Sequence, residues 1–112
     1  MAKGDWLGEF EQIVMLAVLR LNASAYGMEV RREIALRTGR DTSIGAVYAT
    51  LDRLESKGFV RSHETELEGD KGRPRRAYRV TAAGASSLDQ ALSAIASLRQ
   101  GVRLRPGRVE ES

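Results

Sequence analysis

The sequence predicts a mainly α-helical fold with one small β-hairpin, a winged helix-turn-helix followed by a long C-terminal dimerisation helix. Three observations point there. In the stretch 42–58, TSIGAVYATLDRLESKG, the residues Val47, Leu51 and Leu54 recur at i, i+4 and i+7, with Ile44 beside them, which is the apolar stripe of an amphipathic helix. A second helical pattern stops at Gly39, leaving only a tight turn before that stretch, and two helices joined this way form a helix-turn-helix. After Gly58 the period changes to that of strands, with a Gly- and Pro-containing loop between two short runs.

The totals set bounds on this reading. A chain of 112 residues makes one domain with a modest core and a small appendage. Its 42% hydrophobic and 29% charged residues are ordinary for a globular protein. The 18 Lys and Arg exceed the 15 Asp and Glu by a formal +3, so the clustering of cations matters more than their excess. There is no cysteine, hence no disulfide framework and no thiolate metal site. Met1–Gly8 lacks the pattern of a signal peptide. The longest apolar run, Ile13–Leu19, is too short to cross a bilayer. A soluble, cytoplasmic protein with no membrane partner is expected.

The first helix should run from about Leu7 to Leu21, with Asp5 as N-cap and Glu9 and Glu11 where the helix dipole favours acids. Phe10, Val14, Ala17 and Leu21 form an apolar line that Ile13, Leu16 and Leu19 widen. So broad a surface suits either a central core helix or one shared with a partner subunit. Asn22–Ser24 breaks the pattern, Ser24 can cap, and a second helix should span about Ala25 to Arg37. Tyr26, Val30 and Ile34 give its inner face. Gly27 in its first turn costs about 1 kcal/mol of helix propensity relative to Ala, which signals close packing against another backbone or a tolerated weakness.

The third helix is the one opened above, capped by Thr42 or Ser43 and stopped by Gly58. Opposite its stripe lie Gly45, Ala49, Asp52, Arg53 and Ser56, with Ala46 and Tyr48 on the shoulders. Its first turn is small and uncharged, so it can approach another surface closely, and a duplex major groove admits a helix. Phe59–Thr65 and Arg75–Val80 then read as strands around the loop Leu67–Pro74, LEGDKGRP. Arg61, Lys71, Arg73, Arg75, Arg76 and Arg79 lie on or beside this hairpin, while Glu64, Glu66, Glu68 and Asp70 hold its ascending side. Taken alone it is a solvated charge run. Beside a helix-turn-helix it reads as a wing whose basic loop lies along a minor groove or phosphates.

Thr81 should cap a last helix from about Ala82 to Gln100, about 28 Å long. Leu88, Ala91 or Leu92, Ile95, Leu98 and Val102 follow the 3–4 spacing of a helix seam. Dimerisation is the use this suggests, with Phe10, Val14, Leu88, Leu92, Ile95 and Leu98 at the contact; a clasp over the first helix of the same chain is the alternative. The expected organisation is therefore a DNA-binding unit at 1–81, a dimerisation helix at 82–102 and a disordered tail at 103–112. Catalytic chemistry is not in view. His63 is the single histidine and has no constellation around it, so it reads as an exposed or edge-strand residue. Ser43 and Ser56 lack a general base, and the wing glycines do not form a phosphate loop. No enzyme, metal or cofactor is expected.

Three ordered motifs carry a family resemblance: Tyr26-Gly27, the run Val47–Gly58 (VYATLDRLESKG), and Arg79–Gly84 (RVTAAG). With them the chain resembles PadR-type transcriptional regulators over about Leu7 to Leu98, and its single C-terminal helix resembles the short subgroup. The resemblance implies a dimeric winged-helix repressor whose C-terminal helix packs on the partner's N-terminal helix. It implies double-stranded DNA as partner, an operator of twofold symmetry, and a small-molecule effector of unknown identity. Ala49 stands where the family often has proline. Ser87–Val102 holds no aromatic residue, so the drug-stacking position of some short members has no counterpart there, and Trp6 and Phe10 are the nearest aromatics. Carried over residue by residue, Tyr48 contacts the DNA backbone and Ser43, Gly45, Ala46 and Ala49 face the groove. Tyr26 lies near the phosphates or supports the recognition helix, Arg53 suits a phosphate, and Lys71, Arg73, Arg75 and Arg76 serve the wing. With so few hydrogen-bonding groups on that first turn, base readout should be sparse and lean on Ser43, thymine methyls and DNA shape.

Overall fold

The computed structural model describes residues 6–66 and 74–104. Its elements are α1 (Glu9–Leu21), a 3-10 turn (Asn22–Ser24), α2 (Gly27–Thr38), α3 (Ile44–Ser56), β1 (Val60–Glu66), β2 (Pro74–Val80) and α4 (Ala82–Arg99). The mainly α fold with a two-stranded antiparallel wing, read from the sequence, is the fold observed. Among the described residues no helix is long and apolar enough to cross a membrane.

The core forms where the helical stripes converge. Val14, Met15 and Val18 of α1, Val30 and Ile34 of α2, and Val47, Leu51 and Leu54 of α3 are fully or almost fully buried together. Each such side chain contributes about 1.5–3 kcal/mol on leaving water. Phe59, Val60, Tyr78 and Leu88 close the cluster from the wing base and the start of α4. The strand register pairs Val60 with Val80 and Ser62 with Tyr78, which turns the apolar members of both strands toward the helices.

Element starts differ from expectation for local reasons. Helix α1 begins at Glu9 with Gly8 in the cap position, because the Glu11 carboxylate reaches back to accept the Gly8 N–H at 2.8 Å; Asp5 lies outside the described residues. Helix α2 begins at Gly27 instead of Ala25, and Ser24 does not cap it: its hydroxyl donates to Leu21 O. Ala25 and Tyr26 are held out of the helix by β2, Tyr26 in extended backbone, since Tyr78 N–H donates to Ala25 O at 3.0 Å and Tyr26 bridges Ala77. Of the two candidate caps for α3, Ser43 does the work, its hydroxyl accepting Ala46 N–H at 3.0 Å. Gly58, at φ 81°, takes the left-handed step that ends the last turn of α3.

Helix α4 is capped by Thr81, whose hydroxyl accepts Gly84 N–H at 3.0 Å and donates to Gly58 O at 2.7 Å. Among the described residues, its buried members lie in its first turns. Gly84 and Leu88 are buried, whereas Leu92, Ile95 and Leu98 are 38%, 61% and 78% exposed.

Candidate nucleic-acid interface

The exposed face of α3 is built by subtraction. Val47, Thr50, Leu51 and Leu54 turn inward, leaving Ser43, Gly45, Ala46 and Ala49 at the surface. None of these four exceeds a hydroxymethyl group in size, so nothing on that turn holds a flat or grooved surface away. The Ser43 oxygen accepts one bond in the cap, and it keeps its O–H donor and one lone pair for a partner.

Tyr48 leans from this helix onto α2. A Cβ built on Gly27 would lie 2.5 Å from the Tyr48 Cε1 and hydroxyl oxygen, so the aromatic ring occupies the space a side chain would take. Gly27 does mark a close approach, but to a ring instead of a backbone. Tyr48 remains 39% exposed. On the other side of the same turn, Tyr26 belongs to the wing as much as to α2. Its backbone bridges Ala77, its hydroxyl lies 3.4 Å from Thr65 Oγ1, and the Arg75 guanidinium stacks 3.9 Å above its ring. The reading of Tyr26 as an inner-face helical residue is corrected accordingly.

Other cations divide into those held by the fold and those that face outward. The Arg31 Nε donates to Thr42 O at 2.7 Å and so ties α2 to the turn before α3. Arg40 in that turn pairs with Glu9 at 3.2 Å and lies over the Phe10 ring. Arg53, expected toward a phosphate, points to α1: it lies 3.6 Å from Glu11 and donates to Thr50 Oγ1 at 3.2 Å. Lys57 meets the same Glu11 carboxylate at 2.9 Å. Burial raises the Glu11 carboxyl, but the Gly8 N–H with Lys57 and Arg53 outweighs it and holds the group below its ordinary value. Arg61, Arg76 and Arg79 are exposed on the wing, and Arg61 stands directly opposite Arg79 in the register. Like charges so placed repel, and a polyanion along that face would relieve the repulsion. Lys71 and Arg73 lie outside the described residues. His63 is exposed, opposite Ala77, and Tyr78 beneath has its phenol raised by burial, which the nearby Arg76 only partly offsets.

The expected dimer contact needs two corrections. Val14 is 0% and Leu88 3% exposed within one chain; both complete the core and are off the surface. What stays exposed is Leu92, Ile95 and Leu98 on α4 and Leu16 and Leu19 on α1. Leu16 lines, with Ile13, Ala17 and Ile34, an apolar groove between α1 and α2. At the rim of that groove Glu33 accepts from Arg37 at 3.0 Å and Arg20 at 3.1 Å, which holds its carboxyl below the ordinary value. Phe10 is half-buried.

The transcriptional regulator PadR-like family matches residues 15–90. Transcriptional regulator Rv3488 of Mycobacterium tuberculosis is 35% identical over 77 residues, which cover 69% of this chain and 68% of that protein. A PadR family transcriptional regulator from Eggerthella lenta superposes with TM-score 0.66 at 27% identity, over 83% of this chain and 81% of its own. A winged-helix DNA-binding protein from STIV shares the fold with TM-score 0.65 at 20% identity, covering 87% and 99% of the two chains. The chain belongs to the PadR-like family of transcriptional regulators, which are not enzymes, and it has the winged-helix fold.

Proposed function

We propose that this regulator is a repressor that binds a twofold-symmetric operator as a homodimer, with 1–81 as the DNA-binding unit and 82–102 as the dimerisation helix. The observation that carries the reading is the exposed first turn of α3, small and uncharged, on a chain that also exposes Tyr48 on the same helix and Arg61, Arg76 and Arg79 on the wing. In this reading α3 enters a major groove with Ser43, Gly45, Ala46 and Ala49 toward the bases. Tyr48 donates its hydroxyl to a phosphate, and Arg75 and Arg76 follow the backbone. Arg53 keeps a structural part beside Glu11. Leu92, Ile95 and Leu98 of one copy cover the exposed apolar surface of α1 on the other, since an apolar face of that kind needs a cover. Repression follows from occupancy: a dimer seated across a promoter excludes other proteins from it.

Titration of duplex DNA at increasing salt tests this. Log affinity should fall with log salt at a slope of several units, because each phosphate neutralised releases counterions. Ala46→Glu puts bulk and negative charge into the first turn, so binding should collapse while the thermal transition hardly moves. A flat salt response, or an Ala46→Glu variant that binds like wild type, would remove α3 from the groove.

A further inference from the structure

We infer that Gly27 is a positioning residue for the Tyr48 hydroxyl: the bare backbone of α2 is the socket that fixes the recognition-helix tyrosine relative to the wing. The inference rests on the proposed contact between Tyr48 and DNA.

The start of α2 is pinned to β2 by Tyr78 N–H to Ala25 O at 3.0 Å and by the Tyr26–Ala77 bridge. Tyr26 is further held through its ring beneath Arg75. The Cα of Gly27 is thus fixed with respect to the wing, and Gly27 is itself buried. Against it lies the far end of a Tyr side chain, the Cε1 and hydroxyl oxygen both 2.5 Å from where a Cβ would stand. A side chain at residue 27 meets an obstacle that can swing away; the pinned backbone cannot. The ring therefore yields, and its hydroxyl leaves the place it holds against the start of α2.

Gly84 shows the opposite case. There a Cβ would meet the Phe59 backbone, 2.9 Å from its carbonyl carbon, and relief requires the main chain to move. One buried glycine serves the fold and the other a functional group. Nothing in the conformation of Gly27 demands glycine, since its φ is not positive and Ala is the better helix former. What excludes a side chain there is Tyr48.

The test is a double-mutant cycle on affinity for a mixed-sequence duplex, read by fluorescence anisotropy at low salt. Tyr48→Phe should weaken binding about tenfold, the scale of one hydrogen bond to a charged group. Gly27→Ala should do the same with a thermal midpoint equal to or above that of wild type. The double variant should lose no more than either single one, because a displaced hydroxyl has nothing left to contribute. In the free protein, nuclear Overhauser contacts from the Tyr48 ring to the backbone protons that residue 27 keeps in both variants, its amide and remaining α-proton, should vanish in Gly27→Ala while the Tyr78 contacts with the core persist. Wild-type affinity in Gly27→Ala overturns the inference, and so do losses that multiply to about a hundredfold. A Tyr48 ring that stays in place in Gly27→Ala overturns it without DNA. If Gly27→Ala loses affinity and Tyr48→Phe does not, the positioning claim falls while DNA binding stands. If wild type does not bind duplex, the functional reading falls first.

Discussion

Glu11→Gln removes the charge of a carboxylate that ties α1 to the end of α3. Glu11 is 7% exposed. Its Oε1 accepts from Gly8 N–H at 2.8 Å and Lys57 Nζ at 3.2 Å, and its Oε2 accepts from Lys57 at 2.9 Å with Arg53 Nε 3.6 Å away. Gln preserves the shape and the carbonyl that accepts from Gly8 but removes the charge facing two cations. Breaking a fully buried pair costs about 3–5 kcal/mol. Here the Lys57 side chain is 24% and the Arg53 side chain 58% exposed, so both can turn to water and solvent screens what remains. The expected loss is therefore about 2 kcal/mol, near the range for a hydrogen bond to a charged group. Urea unfolding at neutral pH measures it as a shift in midpoint at constant slope.

The pH dependence gives the same residue a second signature. The folded carboxyl titrates below its ordinary value of 4.5, so in the window between the two values the unfolded chain binds more protons and stability rises with pH. The contribution is full above about 4.5 and disappears as the pH falls through the lower folded value. The gap between wild type and Glu11→Gln should be constant from neutrality down to about pH 5 and close below it. A gap under about 0.5 kcal/mol at neutrality, or one that persists unchanged in acid, would refute the reasoning.

Two further substitutions probe the last helix. Gly84→Ala drives a Cβ into the Phe59 backbone and should cost about 1–3 kcal/mol or more as overpacking, seen as a fall of several degrees in the thermal midpoint; an unchanged midpoint would show that α4 docks otherwise. Ile95→Asp sits on a residue 61% exposed in the single chain, so it should leave the fold intact and shift the sedimentation of wild-type dimers to monomer. A wild type that sediments as monomer at micromolar concentration would remove the dimer.

What the sequence could convey follows from what periodicity measures. The stripe of Val47, Leu51 and Leu54 is fully buried as read, because a repeated spacing on one helix reports a face and the core needs one. The same spacing does not say which body covers the face. Val14 and Leu88 fit a seam as well as they fit a core, and only the tertiary arrangement puts them at 0% and 3% exposure. Tyr26 matched a helical line with Val30 and Ile34, yet an extended residue just before a helix keeps that register, and its strand bridge depends on Ala77 far along the chain. Gly27 stood out by its cost to the helix, but its reason is a ring on another helix. Arg53 was legible as surface and not as a partner of Glu11, since a long side chain chooses between solvent and a distant carboxylate on grounds that local sequence does not contain.

In the proposed dimer, the distance between two recognition helices depends on how α4 leaves its domain. That exit is rigid for reasons visible in one chain. Thr81 N–H donates to Phe59 O at 2.9 Å, the Thr81 hydroxyl bonds Gly58 O at 2.7 Å, and Gly84 rests on the Phe59 main chain. Gly58 and Phe59 follow the C-cap Lys57 of α3, and Phe59 N–H donates to Leu54 O at 2.9 Å. The end of α3 and the start of α4 are therefore tied directly to each other through Gly58 and Phe59. Paired half-sites one duplex turn apart, about 34–36 Å, demand that kind of stiffness, because slack at the joint would spread the two reading heads over many spacings and weaken discrimination. The Arg79–Gly84 motif, RVTAAG, thus matters less for what it could touch than for the angle it sets.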